Sequence, residues 1–429
     1  MGKMVGVARP TRRVVILGGG YGGVYAALKL QKLARKRPDV DVTLVNRENY
    51  FLFTPMLPQA ASSSIETTHV VQSIRRICPR VRFLEADVKA IDLAGRTVEI
   101  AHADAHVHTL PFDQLLLAVG GATNFFRLPG VAEHALTIKT LPDAIRIRNH
   151  ALDMLEQAEL ESDPALRKRL LTFLVAGAGF AGIETAAELD IFLHKAARQF
   201  RTIEPKDVKT IVVDALNRVL PELSEKLAGF TEKQLAKRGV EVRLGTRVKS
   251  AGHGFVEFED GTRIETDTFI WAGGVKPSPL VASLPCANAR GRIPTDANLA
   301  VPGYPGVWAV GDCAEVYPPG GGKPYPPTAQ HALREGAHAG ANIMAAIDGR
   351  PLRPFGYTMI GQMADLGEYK AVAMIGGFKL SGFPAWWLWR TYYLSRMPTL
   401  ERKIRVALDW TLDLFFTRDT VKLSLPDRR

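Results

Sequence analysis

Two glycine clusters carry the residues whose types and spacing most directly imply chemistry. The first reads Gly18-Gly19-Gly20-Tyr21-Gly22-Gly23, so Gly18, Gly20 and Gly23 fill the three positions of a GxGxxG pattern. The second, Gly177-Ala178-Gly179-Phe180-Ala181-Gly182, repeats it with Gly177, Gly179 and Gly182. In such a turn the first glycine permits a tight bend and the second lets backbone approach a pyrophosphate. The third lets the following helix pack close to the preceding strand. The helix N-terminus then aims its unpaired amides at the phosphates. Taken alone the pattern is weak, and its weight depends on what flanks it.

Both flanks fit. Val14 to Leu17 is short, apolar, β-branched and bounded by glycine, which predicts a buried parallel strand, and Val24 to Leu30 reads as a helix. Leu171 to Val175 and Ile183 to Leu189 play the same parts around the second cluster. The next strand of the first repeat, Val42 to Val45, ends at Asn46, where Asp or Glu commonly meets the ribose. Asn46 or the nearby Glu48 is expected to take that contact. In the second repeat Ile211 to Val213 ends at Asp214, a carboxylate that accepts from a free ribose 2′-OH and repels a 2′-phosphate, so NADH is favoured over NADPH. The long gap before Asp214 predicts a basic helical insertion around His194 to Arg201. Two further strands run into small residues, Leu115 to Gly121 through Ala118 and Gly120, and Thr268 to Gly274 through Ala272 and Gly273. Each reads as a strand returning beneath a nucleotide. A third, from Val307, ends in Gly311-Asp312 and is expected to open a helix.

A chain of 429 residues, 46% hydrophobic and 23% charged, suits two or more folded domains. The net charge of +11 favours an acidic partner, anionic lipid or nucleic acid, or a broadly solvated surface. The basic residues are spread along the chain with no nucleic-acid motif, so no nucleic acid is expected. Cys78, Cys286 and Cys313 form no CxxC and no disulfide framework, which fits a reducing compartment. The N-terminus lacks the apolar core of a signal peptide, and Gly6 stands where a myristoylation signal needs Ser or Thr. No apolar run reaches the roughly 18 residues of a membrane span, so the expectation is a chain that is soluble or lies on a membrane. His102, Asp104, His106 and His108 could share a strand face, but in a polar hairpin-like stretch they read as a solvated face and not as metal ligands.

Taken in order, residues 11 to 345 resemble the two-dinucleotide-binding-domain flavoproteins related to glutathione reductase. The resemblance implies that Gly18, Gly20, Tyr21, Gly22, Gly23, Asn46, Arg47, Ala118, Gly120, Gly311 and Asp312 serve a tightly bound FAD, with Asp312 on its ribityl chain. It gives Gly177, Gly179, Phe180, Ala181, Gly182, Glu184, Asp214, Ala272 and Gly273 to NADH. No cysteine pair stands where disulfide reductases carry theirs, and Cys313 reads as a small buried thiol. The stretch Tyr50 to Pro58, with Thr54 and Pro55, looks like that of the type II NADH dehydrogenases, and so does Pro327-Thr328-Ala329-Gln330-His331-Ala332. That family implies a flavin-side quinone site at Ala329 and Gln330, and a catalytic Glu184 at the nicotinamide. It usually continues with two glutamines where this chain has Arg334-Glu335.

From residue 355 the composition changes. Phe383 to Leu394 crowds aromatics beside Arg390, with Pro384 suited to a helix start. Leu400, Ile404, Ala407, Leu408, Thr411, Leu414 and Phe415 recur at helical steps, with Arg402, Lys403, Arg405, Asp409 and Asp413 elsewhere on the wheel. Such a helix lies in the plane of a bilayer or packs on the protein body or on a second copy. The family resemblance favours the bilayer, and a homodimer stays open. The fold expected is α/β, with two Rossmann-like domains, the NADH domain inserted in the FAD domain, plus a C-terminal amphipathic membrane-association region. The boundaries are 11–145 and 286–354 for FAD, 146–285 for NADH and 355–429 for the C-terminal region. The expected reaction passes hydride from NADH to FAD and two electrons to a membrane quinone without pumping protons. The expected location is peripheral, on the cytoplasmic face of the inner membrane if the source is bacterial. Alternatives are a sulfide:quinone or ferredoxin-type reductase and, more distantly, a non-enzymatic flavin-binding interaction protein.

Overall fold

The computed structural model describes residues 11–103 and 106–422. These divide into two compact units. The first is built from three segments: the chain up to Phe51, Gln72–Ala122 and Val275–Met359. Its centre is a five-stranded parallel sheet in the order Val307–Ala309, Gln114–Leu117, Arg12–Leu17, Val40–Asn46, Arg82–Glu85. Val14 through Leu17 are buried on both faces, as strands covered by helices must be. Helix Tyr21–Leu33 packs along helix Ala329–Ile347 through glycines: a Cβ on Gly336 would lie 2.0 Å from the carbonyl oxygen of Gly22.

The second unit comprises Leu52–Val71, Thr123–Gly274 and the chain from Ile360. It repeats the architecture with a parallel sheet in the order Leu136–Thr137, Thr268–Trp271, Thr172–Ala176, Lys209–Val213, Glu241–Arg243. In both sheets the strand before the glycine cluster is interior, with the carboxyl-terminal strand of the ribose position beside it. Helix Phe180–Ala197 follows the second cluster and is buried over most of its length. The expected basic insertion is no separate helix: His194 to Ala197 are the last turn of this one, and Arg198 to Arg201 lie beyond its end. An antiparallel sheet of Gly361–Asp365, Ala371–Ile375 and Phe378–Gly382 then leads into helices Phe383–Arg396 and Leu400–Leu412.

The last helix is two-sided in a way its periodicity did not disclose. Val406 and Trp410 are buried, whereas Leu400, Ile404, Leu408 and Leu412 are exposed, Leu400 at 72%. The apolar stripe read from the sequence therefore faces outward, and Leu414, Phe415 and Phe416 continue it. The inward side is held by polar contacts. Asp409 accepts from the Glu66 amide at 3.2 Å and meets His69 Nδ1 at 2.5 Å. Trp410 Nε1 donates to Gln59 Oε1 at 3.2 Å. Among the described residues no helix is long and apolar enough to cross a membrane.

Candidate functional site

Both glycine turns are built alike. Gly18 at φ +106° and Gly177 at φ +115° adopt backbone that only glycine takes readily. A Cβ on Gly23 would stand 1.8 Å from the Gly18 carbonyl oxygen, and one on Gly182 the same distance from that of Gly177. Gly20 and Gly179, by contrast, have nothing within 4 Å of a built Cβ. Each caps the N-terminus of its helix without a side-chain cap, and neither helix has an acid in its first turn. Two helix N-termini thus present positive dipole ends with no side-chain cap and no first-turn acid, an arrangement that suits a pyrophosphate.

The strand-end residues brace these turns. Asn46 Oδ1 accepts from the Gly19 amide at 2.7 Å while its Nδ2 donates to the Glu48 carbonyl at 2.7 Å. Asp214 Oδ2 accepts from the Ala178 amide at 2.5 Å and Oδ1 from Leu216 N at 2.7 Å. The same bond is made twice, with a charge only in the second repeat. Arg47 is largely exposed and paired with Asp87 at 2.7 Å. Ala118 lies under Gly18, and Gly120 adopts φ +65° with open space at its Cβ position.

Gly311-Asp312 follows its strand as expected but opens only a single 3₁₀ turn, Gly311–Cys313. The helix comes later, at Ala329, because Thr328 caps it and Pro326-Pro327 precede it: the Thr328 hydroxyl accepts from His331 N at 3.4 Å. That cap places Ala329 and Gln330 in the first turn. One turn on, Glu335 is buried and accepts from the Gly311 amide at 2.7 Å, fixing the turn that carries Asp312. Burial, with the Asp312 charge adding, lifts Glu335 to about 7. Cys313 is fully buried, donates weakly to the carbonyls of Leu117 and Val310, and is pushed up to about 12 by burial. It offers no thiolate.

The structure assembles the FAD candidates Gly18, Gly20, Tyr21, Gly22, Gly23, Asn46, Arg47, Ala118, Gly120, Gly311, Asp312, Ala329 and Gln330 in the first unit. Thr54 and Pro55 belong to the second, in the 3₁₀ turn Thr54–Met56. The NADH candidates Gly177, Gly179, Phe180, Ala181, Gly182, Glu184, Asp214, Ala272 and Gly273 all lie in the second unit.

Glu184 sits in a buried polar cluster whose extent the sequence did not reveal. It is 8% exposed, and its Oε1 accepts from the Asp365 amide at 2.9 Å. Burial raises its pKa far above the usual carboxylate range, and the charges of Asp365 and Glu188 push the same way. Asp365 accepts from Gln59 Nε2 at 2.8 Å and from the Gly367 amide at 3.0 Å, and burial lifts it to about 6. Glu188 is neutralised by Arg418 at 2.9 Å and accepts from the Ser62 hydroxyl at 2.9 Å. Arg418 also pairs with Asp413 at 3.0 Å. Glu188, Asp365 and Arg418 were missed. Their only signal was charge inside otherwise apolar stretches, and the partners that tie them together, Gln59 to Asp365, Ser62 to Glu188 and Glu188 to Arg418, lie more than a hundred residues apart.

His102 and His108 flank a hairpin of strands Thr97–Ala101 and His108–Pro111, and Asp104 lies outside the described residues. Among the described residues no group of three or more His, Cys, Asp or Glu is arranged to hold a metal ion.

With this geometry in view, comparison with known proteins decides the family. The pyridine nucleotide-disulphide oxidoreductase family matches residues 12–336, and the NDH2 C-terminal domain matches residues 360–419. The type II NADH:quinone oxidoreductase Ndh of Mycobacterium tuberculosis is 35% identical, over 96% of this chain and 90% of its own length. The chain belongs to the type II NADH:quinone oxidoreductase family. The external alternative NADH-ubiquinone oxidoreductase of Yarrowia lipolytica mitochondria is 31% identical, over 96% of the chain and 81% of its own. In fold, the structure of NDH2 from Plasmodium falciparum in complex with NADH superposes with a TM-score of 0.88 at 20% identity, covering 96% of this chain and all of that one. As a type II family member the chain is an oxidoreductase of the kind that uses a flavin and NADH.

Proposed function

We propose that this chain oxidises NADH and reduces a membrane quinone, with FAD as its resident cofactor, at the surface of a bilayer. The observation that carries this reading is the reach of the likeness: relatives similar across 96% of the chain, C-terminal region included, are named for that reaction. The reaction balances as NADH, a proton and quinone giving NAD⁺ and quinol. Bound FAD would supply the two-electron chemistry, accepting hydride on one side of the cycle and yielding electrons on the other.

The helix N-terminal amides above Gly20 fit its pyrophosphate, and Asp312, on the turn that Glu335 fixes, fits its ribityl hydroxyls. Those above Gly179 fit the pyrophosphate of NADH, and Asp214 keeps carboxylate lone pairs for the ribose hydroxyls while braced to its turn. Glu184, whose carboxyl burial shifts toward its protonated form, would handle a proton at the nicotinamide end of that site. Gln330 supplies an amide for the quinone carbonyl. The outward apolar stripe on helix Leu400–Leu412, with Lys and Arg on its flanks, fits an in-plane helix on anionic lipid. In a bacterium the corresponding location is the cytoplasmic face of the inner membrane, as a peripheral protein.

Anaerobic titration tests the reading. NADH should bleach the flavin of the FAD-replete protein, and a short-chain quinone should restore its colour within the turnover time. Bleaching by NADH that no quinone reverses would discard the acceptor.

A further inference from the structure

The second unit holds a cleft of about 570 Å³ at the end of its parallel sheet opposite the glycine turn. That volume lies within the roughly 300–1,000 Å³ of small-molecule sites. Asp267 lines the cleft just before strand Thr268–Trp271, whereas Ala272 follows the same strand among the NADH candidates. At about 3.3 Å per residue the two stand roughly 16 Å apart, so cleft and nucleotide turn occupy opposite ends of the sheet.

One cation is built into the cleft. Arg169, in helix Pro164–Leu170, donates Nε to Asp267 Oδ2 at 2.8 Å. Gly254, at φ +79°, covers the same guanidinium: a Cβ there would stand 3.1 Å from Cζ and Nη1 and 3.2 Å from Nε. Near-equal distances to three atoms of one plane put the turn over its face, so an edge and a face are both fixed. Among the described residues nothing accepts from Nη1 or Nη2, which form the remaining edge. The two acids of the lining are engaged elsewhere as well. The Asp267 carbonyl accepts from His150 Nε2 at 3.1 Å, and Glu161 Oε1 accepts from the Ser162 and Asp163 amides, each at 2.8 Å. Met154, Leu166, Leu170, Phe255 and Phe269 supply apolar wall, and the exposed His134 and His253 complete the lining.

A guanidinium edge offers two parallel N–H donors, the geometry that a planar carboxylate accepts. Asp267 already balances the Arg169 charge, which disfavours a doubly charged phosphate and leaves the directional bonds to a singly charged head. We propose that this cleft binds an amphipathic carboxylate, its head on Arg169 Nη1 and Nη2 and its alkyl or aryl body along Met154, Leu166 and Phe269. It is a small-molecule site separate from those of the nucleotides, and it stands whatever the electron acceptor proves to be.

Isothermal titration calorimetry on the FAD-replete protein tests the site with decanoate below its micellar concentration, with 2-naphthoate, and with decanol, which keeps the chain and loses the charge. Decanoate should bind saturably and about tenfold or more tighter than decanol, the size of hydrogen bonds to a charged group. Arg169→Lys keeps the charge beside Asp267 but loses the planar edge, so decanoate should weaken by about tenfold while flavin content and melting temperature hold. Leu166→Trp fills the cleft from its wall and should abolish binding. Saturating NADH should leave the affinity unchanged. Tighter binding of 2-naphthoate would support an aromatic acid as the occupant, and tighter binding of decanoate a lipid-derived one. Equal affinity for decanoate and decanol, displacement by NADH, or binding that survives either substitution would overturn the site, as would the lack of any saturable heat.

Discussion

Asp214 and Asn46 stand at equivalent strand ends and make the same brace to a glycine-turn amide, yet only Asp214 carries charge. The charge is therefore available for nucleotide choice, since the brace itself does not need it. Asp214→Asn should keep the fold and lower the NADH-over-NADPH preference in kcat/KM by about tenfold or more, on the order of 1.4 kcal/mol. An unchanged ratio would remove Asp214 from nucleotide recognition. Asp365 makes a second prediction. Raised to about 6 from an ordinary 3.8, it keeps its proton in the folded chain over a range where the unfolded chain has lost it. Its contribution is therefore full below about pH 4 and is lost as pH rises toward 6. Asp365→Asn should flatten that decline, as read from denaturant unfolding across the range, and an equal slope in both proteins would contradict the assignment. Asp214 was legible from its place after a strand. Asp365 was not, because nothing local marks a carboxylate that accepts from the distant Gln59 while its own backbone amide donates to Glu184.

Strand, glycine turn and helix were readable as units because their signals are local: β-branched runs, three glycines and a helical stretch. Two elements were read less well, and for physical reasons. Gly311-Asp312 opens a lone 3₁₀ turn because the chain beyond it meets no cap until Thr328. The C-terminal helix shows one stripe in sequence but two in space, since Val406 and Trp410 bury themselves beside Asp409 while the longer stripe stays outside. Periodicity gives a helix its faces; it does not say which one the body of the protein covers. The outward face yields a prediction. Ile404→Asp with Leu408→Asp removes apolar surface that is already exposed, so melting temperature and flavin content should barely change. Binding to vesicles of mixed anionic and neutral lipid, followed by flotation, should be lost. Retained flotation would place the contact elsewhere.

Across the chain, two nucleotide-binding sheets and a C-terminal region with an outward apolar helix are joined in one polypeptide of net charge +11. The α/β class and the paired Rossmann-like pattern were legible because they rest on repeats. How segments far apart in sequence gather was not: Leu52–Val71 and the residues from Ile360 join the second unit, a grouping set by packing of Gln59, Ser62 and His69 against partners more than a hundred residues away. On the membrane reading proposed above, the positive excess would act on an anionic surface alongside the exposed stripe on the last helix. All of this serves one chemical claim, that electrons enter as NADH and leave on a quinone. The most direct test is the rate of NADH loss by the purified, FAD-replete protein with and without a short-chain quinone, NADPH being the comparison. Fast, quinone-dependent loss of NADH with little use of NADPH is the expected result. NADH consumption that quinone does not accelerate would contradict it.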